Sequence, residues 1–90
     1  MHAVVVTVTI KDVEAATKAL REQVVPRVAQ SPGFVTAYWM RKDNSGLSAL
    51  IYESEDAARA ASEQVRSQGS PDPDAVTLDD VEIREVVANA

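Results

Sequence analysis

Residues 34–61, FVTAYWMRKDNSGLSALIYESEDAARAA, decide the fold of this chain. Two apolar runs, residues 34–41 and 47–53, flank the polar residues 42–46, and this pattern predicts a β-hairpin with a loop of four or five residues. Ser54 then provides a helix N-cap, and the alanine-rich residues that follow predict a helix to about Arg66. The stretch is therefore a strand, a turn, a strand and a helix.

The flanking segments supply two more strands and another helix. Residues 3–10, AVVVTVTI, are rich in β-branched residues, which is typical of a strand. From Asp12 onward apolar residues recur every three or four positions, which predicts an amphipathic helix. Pro26 lacks a backbone N–H and crowds the preceding turn, so it predicts either a kink near residues 22–25 or a new helical turn that starts at Pro26. Alternation from Val81 predicts the last strand within residues 76–87.

The predicted order of elements is βαββαβ. Right-handed crossovers then give a ferredoxin-like α+β fold, a four-stranded antiparallel sheet with two helices on one face. Residues 1–90 are expected to form a single domain. The other face of the sheet is left without a cover, although its residues are largely apolar. A second copy of the chain is the simplest cover, so we expect a homodimer.

Composition excludes several classes of function. The chain carries 14 acidic and 9 basic residues, a net charge of −5, which argues against nucleic-acid binding. It has no cysteine and a single histidine, His2, so thiol chemistry and a multi-histidine metal site are excluded. Residues 1–10 lack a basic start and are too short to span a membrane. We expect a cytoplasmic protein that binds no membrane and no metal.

Two strings resemble a known family. The first is Pro32-Gly33-Phe34-Val35 leading into an aromatic strand, and the second is residues 50–61, LIYESEDAARAA. The second is similar to a strand end followed by Glu-Ser-x-Glu-Ala-x-x-Ala-His at the start of a helix. The chain thus resembles the dimeric α/β-barrel superfamily, and within it the antibiotic-biosynthesis-monooxygenase-like proteins, over residues 3–87. The resemblance implies a dimer whose two sheets close into a barrel.

The family includes cofactor-free oxygenases and haem-degrading enzymes, and this chain departs from the second group. Ala61 stands where the family's helix often carries histidine. The haem-degrading relatives also use a strand asparagine and a tryptophan; the first strand here has no asparagine, and Trp39 alone matches. The resemblance therefore implies that the chain uses no haem, and we expect no cofactor.

Six side chains are candidates for a ligand pocket on the uncovered sheet face, while catalytic residues cannot be assigned. Aromatic side chains can hold a flat ligand or simply pack, and Arg84 can bind an anion or form a surface ion pair with Glu82. Tyr38 and Trp39 are adjacent in a strand, so at most one of them faces the pocket. The candidates are Thr7, Thr9, Tyr38, Trp39, Tyr52 and Arg84.

Three functional hypotheses remain open. In the first, the chain is a dimeric barrel protein that binds a small hydrophobic or aromatic molecule. In the second, it is a cofactor-independent monooxygenase or isomerase that acts on a phenolic or enolisable substrate. The third hypothesis is a structural or dimerisation module with a filled pocket. An enzyme needs acid–base groups aimed into the pocket, and the sequence shows no well-placed histidine or buried carboxylate for that role. Whether the chain is an enzyme is therefore left open.

Overall fold

The fold has the predicted order of strands and helices. The computed structural model describes all residues, Met1–Ala90. Its four strands form one antiparallel sheet in the order β2-β3-β1-β4, with the helical segments on one face, which confirms the ferredoxin-like arrangement. The elements are β1 (His2–Ile10), α1 (Val13–Ala19), a π-helical turn (Leu20–Val24), α2 (Val25–Ala29), β2 (Phe34–Lys42), β3 (Ser45–Tyr52), α3 (Glu55–Gln68) and β4 (Val76–Glu85).

The first helix is interrupted just before Pro26, where the sequence predicts a kink or a new turn. Asp12 caps its start by accepting a hydrogen bond from the backbone N–H of Ala15 (3.1 Å). Just before Pro26 the hydrogen bonding widens, and the N–H of Val25 donates to the carbonyl of Leu20, five residues back. We call α1, the π-helical turn and α2 together the kinked helix. None of the helices combines the length and the apolar surface that crossing a bilayer requires.

The hydrophobic core lies between the sheet and the helices. Val4 and Val6 of β1 pack with Leu50 of β3 and with the alanines of α3, and Val4 and Ala58 are fully buried. Small side chains on α3 allow the helix to lie close to the sheet. The Ser54 hydroxyl caps this helix through the N–H of Ala57 (3.1 Å), as predicted.

The hairpin between β2 and β3 has a shorter loop than predicted. Lys42 pairs directly with Ser45, so the turn contains only Asp43 and Asn44 instead of four or five residues. Asp43 adopts a left-handed backbone conformation (φ 54°), which aspartate tolerates, and the Asn44 side chain donates to the carbonyl of Ile10 (2.7 Å). The polar composition of residues 42–46 predicts a longer loop, but the ladder between β2 and β3 continues up to Lys42 and Ser45.

Replacing Gly33 with alanine should destabilise the fold strongly. Gly33 has φ +77°, and an added Cβ would lie 2.7 Å from the Cβ of Ala57. Gly69→Ala is the matched control, because Gly69 also has a positive φ (+65°) but nothing within 4 Å. We expect the control to cost about 1 kcal/mol and Gly33→Ala about 2–4 kcal/mol, measured by urea unfolding. Equal losses in the two variants would contradict the proposed clash.

Candidate functional site

A cavity of about 490 Å³ lies between the sheet and the helices. This volume is in the range of small-molecule sites, and most of the lining is hydrophobic. The kinked helix forms one wall, α3 another, and the helix-facing side of the sheet forms the floor. Apolar side chains that enclose it include Val8, Leu20, Val24, Leu50, Val65 and Leu78.

Strand register decides which side chains form the floor of the cavity. The two-residue turn pairs Trp39 of β2 with Ser48 of β3, and the next row toward the turn pairs Arg41 with Gly46. Residues directly opposite in an antiparallel pair share one face, so Trp39 and Ser48 both face the helices. A Cβ on Gly46 would lie 2.5 Å from Val8 Cγ2, so glycine leaves room for that valine.

Tyr52 supplies a buried hydroxyl at the lower end of the cavity floor. Its side chain is 1% exposed, and its oxygen lies 2.8 Å from Ser31 Oγ. Ser31 has one hydroxyl proton and donates it to the carbonyl of Val28 (2.5 Å). Tyr52 therefore donates to Ser31, and the remaining lone pair on the Tyr52 oxygen can accept a hydrogen bond. Phe34 packs edge-on against the Tyr52 ring at 6.0 Å and fixes its position.

Trp39 and Ser48 present polar groups that the chain itself does not use. Neither the indole N–H of Trp39 nor the hydroxyl of Ser48 forms a hydrogen bond within the protein, and both residues line the cavity. His2 Nδ1 is the one fully buried side-chain nitrogen or oxygen that lacks a hydrogen-bond partner. The Trp39 N–H and the Ser48 hydroxyl are therefore not fully buried, and a ligand in the cavity can reach them. The Trp39 N–H, a donor, and the Ser48 hydroxyl, a donor and acceptor, thus lie on neighbouring strands and can bind polar atoms of a ligand.

The charged side chains that line the cavity are all arginines. They are Arg21 on the π-helical turn, Arg27 on α2 and Arg41 on β2, and no Asp, Glu or His is among the lining residues. Arg27 donates to the side chain of Gln68 at the end of α3, which joins the two helices beside the cavity. The single histidine lies outside the cavity.

The six sequence candidates are divided between two faces of the sheet. Trp39 and Tyr52 line the cavity under the helices, whereas Thr7, Tyr38 and the other candidates lie on the opposite face. The sequence places the pocket on the uncovered face, with at most one of Tyr38 and Trp39 in it, whereas the cavity and Tyr52 lie on the helix-facing side. The short hairpin loop puts Trp39 on that side too, in register with the helix-facing residues of β3.

The candidates on the uncovered face form other contacts. Thr9 donates to Asp79 of β4 (2.6 Å), next to a register shift in that strand pair. Arg84 pairs with Glu82 at 2.6 Å, which is the surface ion pair that the sequence suggested. Tyr38 remains 64% exposed. The structure thus places these side chains apart from the cavity.

Sequence reasoning missed several residues of the cavity. Ser48 has a usable signal, because it alternates with Leu50 and shares its face. The position of Ser31 after a helix gives no such signal, because its contact with Tyr52 joins segments 21 residues apart. Arg21 and Arg27 lie off the apolar stripe of the kinked helix and are indistinguishable from ordinary surface charges in the sequence.

Comparison with known proteins gives matches only among solved structures. No family model matches the chain, and no curated protein sequence matches it. The chain is similar to SnoaB from Streptomyces nogalater, a cofactor-independent oxygenase, with TM-score 0.72, 19% identity and coverage of 98% of this chain and 94% of that one.

Two further structures are similar. MupZ from Pseudomonas fluorescens has TM-score 0.71 and 12% identity, with coverage of 91% of this chain and 69% of that chain. ActVA-Orf6 from Streptomyces coelicolor, a monooxygenase in complex with the ligand Nanaomycin D, has TM-score 0.57 and 15% identity over 99% of this chain and 92% of that one. These matches confirm the fold: the chain shares its ferredoxin-like α+β fold with SnoaB, MupZ and ActVA-Orf6.

Proposed function

We propose that this chain binds a small hydrophobic or aromatic molecule in the cavity between the sheet and the helices. The observation that carries the proposal is the cavity itself, about 490 Å³ of mostly apolar space with Trp39 on its floor. The free indole N–H of Trp39 and the Ser48 hydroxyl supply polar contacts that orient a ligand. The hypothesis of a structural module with a filled pocket is less well supported, because side chains leave this space open.

Cofactor-independent oxygenation is the second candidate function. It is favoured by the similarity in fold to SnoaB and ActVA-Orf6, an oxygenase and a monooxygenase. Such a reaction needs a substrate that can form a stabilised anion, because the substrate itself must reduce dioxygen. The lining has no carboxylate or imidazole to act as a base, whereas three arginines line the same space. These cations would stabilise a phenolate or enolate, and its proton would leave to water.

The overall reaction balances without an added reductant. A methylene group activated by neighbouring aryl and carbonyl groups loses a proton, and the resulting carbanion transfers an electron pair to dioxygen, in two one-electron steps, to give a hydroperoxide. Loss of water then breaks the O–O bond and leaves a carbonyl, so R₂CH₂ and O₂ become R₂C=O and H₂O. The Trp39 N–H, which lines the cavity, would donate to oxygen that acquires negative charge during this sequence.

A homodimer is proposed on the basis of the uncovered face. Tyr38, Met40 and Leu47 are 64%, 48% and 42% exposed, and Met40 pairs with Leu47 on neighbouring strands. The three side chains form an apolar patch on the face opposite the helices, where a second sheet could pack against them. The dimer would leave the cavity on the outer side of each sheet. The cytoplasmic location remains a prediction from the sequence.

Binding to the cavity can be measured through Trp39, which is the only tryptophan of the chain. Titration with 1-aminoanthracene should quench its emission in a saturable way. Ser48→Leu places a larger side chain opposite Trp39 and should weaken binding by about tenfold. Ser45→Leu, on the same strand but the opposite face, should leave binding unchanged. Quenching that does not saturate, or equal effects of the two variants, would refute the cavity as the site.

Oxygenase activity can be tested with 1,8-dihydroxyanthrone, a phenolic and enolisable compound. The protein should accelerate oxygen uptake, and ¹⁸O₂ should label the new carbonyl with one atom. Trp39→Phe keeps an aromatic ring but removes the N–H, and we expect a loss of about 10²-fold in rate. Tyr38→Phe on the opposite face is the control and should retain the rate. No acceleration over buffer would leave the chain as a binding protein.

The oligomeric state is measured by light scattering at micromolar concentration. The expected mass is about twice 9.7 kDa. Met40→Asp introduces a charge into the apolar patch and should yield a folded monomer, whereas Val87→Asp, 86% exposed and beyond β4, should remain dimeric. A wild-type chain that is monomeric at all concentrations would exclude the dimer.

A further inference from the structure

The charge of the cavity is opposite to the charge of the protein. The chain carries 14 acidic and 9 basic residues, and ten of the acidic residues lie after residue 45. Segments from that half of the chain, including α3 and the start of β4, line the cavity, yet none of their carboxylates does. Three of the nine basic side chains line it. The cavity of a protein with net charge −5 is thus lined by cationic residues alone, and this favours a ligand with a negative charge.

The three arginines are also free of carboxylate partners. Of the three arginines outside the cavity, Arg59 pairs with Glu55 (2.5 Å) and Arg84 with Glu82 (2.6 Å), whereas Arg66 donates to a backbone carbonyl. Of the cavity arginines, Arg41 donates to the backbone carbonyl of Asp43 (2.9 Å), and none forms an ion pair. Their positive charge is therefore not neutralised by an acidic side chain, and all three residues border a space that is otherwise mainly apolar.

We propose that the ligand of this cavity is an amphipathic carboxylic acid, with a flat apolar body and one ionised carboxylate. This inference rests on the proposed binding function and specifies the class of ligand. The apolar body packs over Trp39 and the valine and leucine side chains of the floor and walls. The carboxylate pairs with Arg21 and Arg41. Arg27 is not included because it already donates to Gln68.

Guanidinium groups suit a carboxylate for geometric reasons. An arginine can present two parallel N–H donors that match the two oxygens of a carboxylate. Arg21 and Arg41 are solvent-exposed, so salt screens such a pair and the preference for a carboxylate should be largest at low ionic strength. Arg27 has a different role, because its bond to Gln68 holds α2 against the end of α3. Arg21 and Arg41 come from the kinked helix and from the edge strand β2, so a carboxylate between them would bridge two walls of the cavity.

The test compares two probes of the same shape and different charge, anthracene-2-carboxylate and the neutral anthracene-2-carboxamide. Both accept energy from Trp39, so dissociation constants follow from quenching of its emission. At low ionic strength the carboxylate should bind about tenfold more tightly than the amide. The preference should disappear in the double variant Arg21→Gln/Arg41→Gln, while affinity for the amide stays the same. Far-UV circular dichroism checks that the variant is folded.

Arg59→Gln is the matched control, because it removes one positive charge on α3 outside the cavity. It should keep the preference for the carboxylate. Equal affinities for both probes would overturn the inference while the proposed binding function stands. A preference that survives the double variant, or that Arg59→Gln abolishes to the same extent, would also overturn it. Absence of binding by either probe would refute the inference and the proposed binding function together.

Discussion

The register between β2 and β3 is the constraint on which the candidate site depends. A two-residue turn pairs Lys42 with Ser45, and each later pair along the ladder follows from that one. A shift by one residue would exchange the two faces of β2, since side chains alternate along a strand. Tyr38 would then lie under the helices and Trp39 on the outer face. The aromatic floor, and with it the polar pair of Trp39 and Ser48, is thus determined by the turn at Asp43 and Asn44.

The cavity exists because the two helices fill the space over the sheet unequally. α3 is rich in alanine and lies close to β1, where Ala58 is fully buried against the core. The kinked helix presents Leu20 and Val24 to the cavity, and Val24 also packs against the core. Both helices therefore enclose the cavity, and more of its lining comes from the kinked helix than from α3. This difference places binding on the side of the chain where the arginines lie.

The fold could be predicted from the sequence because its signals are local. Alternation in residues 3–10, the caps at Asp12 and Ser54, and the break at Pro26 all act within a few residues, and each has its counterpart in the structure. The site could be predicted only in part: the sequence identifies Trp39 and Tyr52, but it places the pocket on the other face of the sheet and leaves the direction of Trp39 open. Hairpin register and the contact of Ser31 with Tyr52 depend on the packed chain and leave little trace in composition.

The π-helical turn has a consequence for how the chain tolerates insertions and deletions. Ala16, Leu20, Val24 and Val28 are spaced by four residues, and four residues overshoot an α-helical turn by about 40°. Over three such steps an ideal α-helix would turn the last side chain well away from the first, but the wider turn at Leu20–Val24 compensates for this drift. Deleting one residue from this turn would give an ordinary α-helix in which Ala16 and Val28 are eleven residues apart, and this spacing keeps Val28 within about 20° of the same face. Inserting a residue would instead rotate α2 by about 100° and turn Val28 away from the core, so this segment tolerates a deletion better than an insertion.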